Sequence, residues 1–366
     1  MKEFNKDKEY SKGIAGFNEA FSDMYDPQEH KFLKIFGPLA QRIALGDFST
    51  STPKINNEKS KISDEEIISQ VQEFTKKMSP SLYAKINKML QDGQITFDKQ
   101  KDMTKDIQTA ESSLQFEKNS PFADDEKIKE LEEKLEQLKL PVMEDSEYNT
   151  ETGDLNVDKT LFDDPAAILV HELGHALTAD DPETVKNMSD DQARNKSYEE
   201  MRETLTITLE ILYERMKSGQ GEVGFMQQLR LADIKQYAQD ISYGYELLNK
   251  FEEQGEFTEA QATRIADKEN PSREGELSAE DANVGTEVMD GKYFYGTAMA
   301  FVLAPRLKTA EDVEKVITIL SSKELTPLEK VEKLEITPQA IEQAVEEVFS
   351  KIKSLGLSET EEEKQP

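Results

Sequence analysis

The chain has 366 residues but no cysteine, no tryptophan and only three histidines. Without thiols it can form neither a disulfide nor a thiolate metal site, so a zinc-type site here must use imidazole and carboxylate ligands. The absence of cysteine also suits a reducing compartment. Long apolar runs are missing too. Nothing approaches the ~18 apolar residues needed to span a bilayer. The charged start Met1-Lys2-Glu3-Phe4-Asn5-Lys6 is not followed by the apolar stretch of a secretory signal. A soluble, cytoplasmic protein is the expectation, with signal-independent export left open. Positive charge is scarce: 45 Lys and Arg against 75 Asp and Glu give a net charge of −30. Such a surface repels phosphate backbones and argues against a nucleic-acid partner. Nearly all the excess acid lies after residue 62, because residues 1–62 carry 10 basic and 9 acidic side chains.

What is present is mostly helical spacing. Phe17, Phe21, Tyr25, Phe32, Phe36, Leu39 and Ile43 recur at helical steps in residues 1–46, although Asp26-Pro27 and Gly37-Pro38 should interrupt a single helix. Ser49 to Lys61 reads as a linker. Ser63-Asp64-Glu65-Glu66 signals a helix start with a capping box, and a second helix follows Ser79-Pro80. Residues 124–139 form a charged amphipathic helix with Ile128, Leu131, Leu135 and Leu138 on one face. Around Leu155 and Val157, after the Gly153-Asp154 turn, alternation predicts a β-hairpin or edge strand. Further helices are expected at 197–217, 225–252, 259–268, 293–304, 310–322 and 337–353. The chain is therefore expected to be mainly α with a small β-sheet (α+β). Its regions are an N-terminal segment and linker (1–62), a helical region (63–145), a main domain (146–356) and a disordered acidic tail (357–366).

Asp163-Asp164-Pro165 opens a helix whose next residues, Ala166-Ala167-Ile168-Leu169-Val170, are apolar all round, so it should be deeply buried. Without interruption it continues into His171-Glu172-Leu173-Gly174-His175, which holds two of the three histidines. H-E-x-x-H on a helix sets two imidazoles one turn apart on one face, able to share a zinc ion. The glutamate between them can take a proton from a water activated by that ion. Gly174 leaves room for the ion or for a neighbouring backbone. A single buried histidine is usually a hydrogen-bonded core residue, but a pair at this spacing with Glu between is hard to explain that way. His30 sits among charged residues and reads as ordinary surface or local packing.

Ile168 to Leu177 resembles the active-site helix of the zincin metallopeptidases. Metzincins continue this motif to a nearby third histidine, and residues 176–185 contain none. The resemblance therefore points to the gluzincins, where a glutamate from a later helix completes the site. It implies a zincin-like catalytic domain, a Zn²⁺ cofactor held by His171, His175 and a glutamate, Glu172 as general base, and a peptide or protein substrate. The candidate ligands are Glu199, Glu200 and Glu203. Glu200 is favoured because its helical face flanks the buried stripe of Met201, Leu205, Thr208 and Leu212, whereas Glu199 and Glu203 share a more solvated face with Thr206 and Glu210. Glu199-Glu200-Met201-Arg202 is also similar to the second motif of the dipeptidyl peptidase III family. That family, however, has an extra residue inside its histidine motif and an acid where Thr204 stands. Glu200 has a structural alternative as well, since Ser197 and Glu200 form a capping box. Glu199 with Glu203 fits the gluzincin habit of an acid four residues beyond the ligand.

The zincin scheme needs a second group to stabilise the oxyanion. With no histidine downstream of the motif, Tyr243, Tyr245, Tyr293 and Tyr295 are the candidates. Glu203 or the acids Glu280-Asp281 can serve as partners of the histidines. Two other readings stand beside the peptidase: a catalytically inactive zincin fold, and a helical partner-binding protein in which the motif is accidental.

Overall fold

The computed structural model of the chain describes residues 15, 31–46, 62–99, 104–119, 125–138, 146–159, 164–188, 201–218, 225–262 and 291–354. The elements in chain order are α1 (Lys31–Leu45), α2 (Asp64–Met78), α3 (Pro80–Gln91), β1 (Ile95–Phe97), α4 (Thr104–Lys118), α5 (Asp125–Leu138), β2 (Glu147–Tyr148) and β3 (Leu155–Val157). They continue with α6 (Pro165–Thr178), α7 (Pro182–Lys186), α8 (Arg202–Ser218), α9 (Phe225–Gln254), α10 (Gly291–Arg306), α11 (Ala310–Leu320), α12 (Pro327–Lys333) and α13 (Pro338–Ser354). The architecture is mainly helical with one three-stranded sheet. Buried apolar residues from Phe32 in α1 to Ile352 in α13 join in one core.

Local chemistry explains where the helices begin. Ser63 caps α2 by accepting from the Glu66 N–H at 3.2 Å, and Asp164 caps α6 by accepting from the Ala166 N–H at 3.2 Å, with Pro165 in the first turn. The expected interruption at Gly37-Pro38 does not occur, and α1 runs through it. An interior proline costs about 3 kcal/mol. Against that, α1 fully buries Phe36, Leu39 and Ile43 against the core, each contributing roughly 1.5–3 kcal/mol. Burial outweighs the lost backbone bond. The short helix α12, capped by Thr326 and Glu329, had no apolar periodicity to announce it.

The β-hairpin expected around Leu155 and Val157 is present, with β2 antiparallel to β3 across the Gly153-Asp154 turn, but β3 is the centre of the sheet rather than its edge. The order is β1-β3-β2, with β1 parallel to β3 (Ile95 opposite Leu155) and β2 antiparallel (Tyr148 opposite Leu155). All three β3 residues are buried, including Asn156, whose Oδ1 accepts from Thr96 Oγ1 at 3.2 Å. β2 forms the sheet edge nearest the H-E-x-x-H helix, and α6 packs against both β2 and β3.

α8 lies between α6 and α10. Its polar residues Glu203, Thr204, Thr206, Thr208 and Glu210 are all buried. This corrects the expectation that the face of Glu203, Thr206 and Glu210 is solvated. Burial is tolerated because the threonines return their hydroxyls to the helix: Thr208 donates to the Thr204 carbonyl at 2.6 Å and Thr206 to the Glu203 carbonyl at 2.8 Å. Both carboxylates find cationic or imidazole partners. The helix expected over 197–217 is described from Arg202 onward. Glu199, Glu200, the linker at 49–61 and the tail at 357–366 lie outside the described residues.

Candidate metal centre

Two glycines set the distances at this centre. A Cβ at Gly174 of α6 would come within 2.9 Å of the Thr206 Cα, and one at Gly296 of α10 within 2.4 Å of the Glu203 Cβ. Any side chain at either position would push α8 away. The room that Gly174 leaves is therefore used by a neighbouring backbone, and Glu203 is pressed against the histidine face of α6.

The result is a convergent group of three. Glu203 Oε2 lies 3.6 Å from His171 Nε2 and 3.5 Å from His175 Nε2. The imidazole rings stand edge to face, with centroids 4.9 Å apart. Donor atoms of His171, His175 and Glu203 all fall within 4.8 Å of one another, which makes this a group able to hold a metal ion. Two ligands each about 2.05 Å from a tetrahedral ion stand about 3.3 Å apart, so both separations from Glu203 Oε2 are close to those around a zinc-sized ion. The set of two nitrogens and one carboxylate oxygen also suits zinc chemistry. Side-chain exposure is 14% for His171, 11% for His175 and 3% for Glu203, so solvent reaches the imidazoles but hardly the carboxylate.

A second carboxylate fixes the orientation of His171. Its Nδ1 is 2.7 Å from Glu210 Oε1, which directs Nε2 toward Glu203 and His175. Glu210 is in turn clamped by Arg230 of α9, whose Nη2 donates to Oε1 at 2.9 Å and whose Nε donates to Oε2 at 3.2 Å. Glu203 and Glu210 are seven residues, or two helical turns, apart on α8 and so share a face. Glu172 is buried, and its Oε2 accepts the backbone N–H of Tyr148 on β2 at 2.7 Å.

The charges are strongly coupled. Burial opposes protonation of His171, but Glu210, Glu172 and Glu203 outweigh it and raise its pKa to about 9. Burial lifts Glu172 to about 7, with His171 and the Tyr148 N–H pulling the other way. Burial also disfavours the ionised form of Glu203, yet His175, His171 and Lys292 hold it well below the usual carboxylate range. Glu210 resists its own burial through Arg230 and His171 and falls to about 2. Arg230 pays a desolvation penalty that Glu210 more than offsets, so its pKa rises.

Among the residues singled out from the sequence, His171, Glu172 and His175 come together as expected. Among the described residues the carboxylate that joins them is Glu203, one of the three candidate ligands; the favoured Glu200 lies outside the described residues, as do Glu199, Glu280, Asp281 and His30. Tyr295 is buried with its ring edge-on to Phe32 at 4.7 Å, a core position. Tyr245 packs against the core beside Gly37 of α1. Tyr293 stacks on Tyr237 of α9 at 5.7 Å, and Tyr237 acts on the charge of Arg230. Glu210 and Arg230 were missed. A search for an acid four residues after the ligand overlooks one placed seven after it, and nothing in the sequence marks Arg230.

No family model matches the chain, and no curated protein or solved structure matches it.

Proposed function

We propose that the chain is a zinc-dependent metallopeptidase of the gluzincin kind, in which His171, His175 and Glu203 hold the ion and Glu172 is the general base. One observation carries this reading: two imidazole nitrogens of α6, the helix that also presents Glu172, converge with a buried carboxylate oxygen of α8 in a group able to hold a metal ion. A zincin-like arrangement is further supported by the motif helix packed beside a small sheet, with the third ligand supplied by a later helix. Bound zinc would polarise a substrate carbonyl and make water nucleophilic near neutral pH. Glu172 takes the proton of the attacking water and passes it to the leaving amine. The Tyr148 N–H holds one oxygen of Glu172, which fixes the carboxylate and leaves the other oxygen for the proton. Tyr293, which stacks on Tyr237, and Tyr243 stay the candidate donors for the oxyanion.

The test is zinc content and peptide cleavage of the purified chain and of Glu172→Gln. The expected result is one zinc per chain in both, with cleavage by the variant reduced by roughly 10²–10⁴-fold. A wild-type chain without stoichiometric zinc would sink the proposal. Full activity in Glu172→Gln would sink the role of Glu172.

A further inference from the structure

The last turns of α2, α8 and α10 meet at a groove of about 870 Å³, with α13 as a further wall. Arg215, in the last turn of α8, is twelve residues from Glu203, or about 18 Å along the helix, so the groove stands apart from the metal centre. Buried Phe301, Val302 and Val313 and the partly buried Met216, Leu307 and Ala344 give it an apolar floor. The charged residues of its lining are Lys77, Arg215, Arg306, Lys308 and Lys351 against Glu347. That balance is the reverse of a chain in which acids outnumber bases 75 to 45.

Helix ends account for part of this charge. Lys77, Arg215, Arg306 and Lys351 stand in last turns, where a cation suits the helix dipole. Lys77 also pairs with Glu73, and Arg306 donates to the Leu334 and Glu335 carbonyls. Lys308 lies instead in the link between α10 and α11. Among the described residues no carboxylate pairs with Arg215, Lys308 or Lys351. Arg215 is half-buried, and burial alone acts on its guanidinium and lowers its pKa. A guanidinium that has lost part of its water beside an apolar floor is complementary to an anion that brings apolar groups with it.

We propose that the groove binds an extended acidic peptide segment of a partner protein, with apolar side chains on its floor and carboxylates on its basic rim. α13 lines the groove from Ala340 to Lys351, a span of about 16 Å, which about five extended residues would fill. The rim cations come from α2, α8, α13, the end of α10 and the link that follows it. A ligand with several carboxylates therefore engages them better than an amphiphile with a single head group. The net charge of −30 repels such a ligand over most of the surface. At physiological salt that repulsion is screened beyond about 8 Å, so the rim decides locally where an acidic segment can dock. The inference is independent of the peptidase reading.

Isothermal titration calorimetry of the full chain tests it, with a seven-residue peptide that alternates glutamate and leucine and is blocked at both ends. The expected result is one site with a Kd on the order of 50 μM at near-physiological salt. Binding should weaken about tenfold in Arg215→Gln and about threefold in Lys308→Gln. It should also weaken about tenfold when serine replaces leucine in the peptide. Lys308 is exposed and outside every helix, so its substitution tests the rim even if Arg215→Gln fails to fold. A zinc chelator should leave the affinity unchanged, because the groove contributes no metal ligand. Loss of binding on chelation would place the peptide in the metal centre and overturn the proposal. No binding, equal affinity for a lysine–leucine peptide, or an affinity indifferent to both Arg215 and Lys308 would each overturn it as well. Laurate that displaces the peptide and binds more tightly would give the groove to a single-headed amphiphile instead.

Discussion

Glu210 and Arg230 act on the metal centre without touching the ion. Because Glu210 accepts from His171 Nδ1, Glu210→Gln should weaken zinc binding by roughly 10–100-fold while the fold survives. Competition with a fluorescent chelator would measure this directly, and unchanged affinity would remove Glu210 from the centre. Arg230→Met is a harsher change because it strands a buried carboxylate. It should lower unfolding stability by about 3–5 kcal/mol. Combining it with Glu210→Gln should recover much of that loss, a non-additivity that a double-mutant cycle in urea would reveal.

At the scale of elements, helix separation rests on two glycines and on one inter-helix carboxylate. Gly296→Ala brings a methyl group against the Glu203 Cβ and should cost about 1–3 kcal/mol in urea unfolding, together with looser zinc retention. Glu314 of α11 joins a different pair of helices. It accepts from Ser79 Oγ at 2.5 Å, from the Ser81 N–H at 2.8 Å and from Ser81 Oγ at 2.7 Å, at the start of α3. Burial works against its charge, but these donors hold its pKa below the usual 4.5. A depressed carboxyl stabilises the fold above its unfolded pKa, and that contribution is lost as pH falls through the folded one. Glu314→Gln should therefore cost about 1–2 kcal/mol at neutral pH and almost nothing once the carboxyl is protonated in both states. Urea titrations across acid pH would show the two curves converging.

The same elements show what sequence reveals and what it hides. The motif helix was legible because an acidic cap, Pro165, an unbroken apolar run and the two histidines all lie within a dozen residues. Most helices after residue 200 were legible from apolar steps. Glu203 was harder to choose, because periodicity sorts faces by hydrophobicity and its face is polar. That face is buried only because α6 and α10 close over it and because distant partners neutralise it. The same reasoning applies to α1. Pro38 predicts a break, and only the packing of Phe36 and Leu39 decides otherwise. β1 carries three residues, too few to show alternation, so the central place of β3 had no local signal.

For the molecule as a whole, stability should follow metal rather than redox state. With no cysteine, reductants should leave the melting temperature unchanged. Zinc at about 100 times its dissociation constant should add about 2.7 kcal/mol, visible as a higher melting temperature that a chelator reverses. Among the described residues, no helix is long and apolar enough to cross a membrane.

The glycine contacts that press α8 against α6 also bear on which ions can compete. A cradle whose width is set by touching backbones cannot widen for a larger guest. Calcium wants six to eight oxygens at about 2.3–2.6 Å, whereas this cradle offers two nitrogens and one carboxylate at zinc spacing. Millimolar calcium should therefore neither raise the melting temperature nor displace zinc. The discrimination would lie in the packing of two helices, set by residues that have no ligand atoms at all.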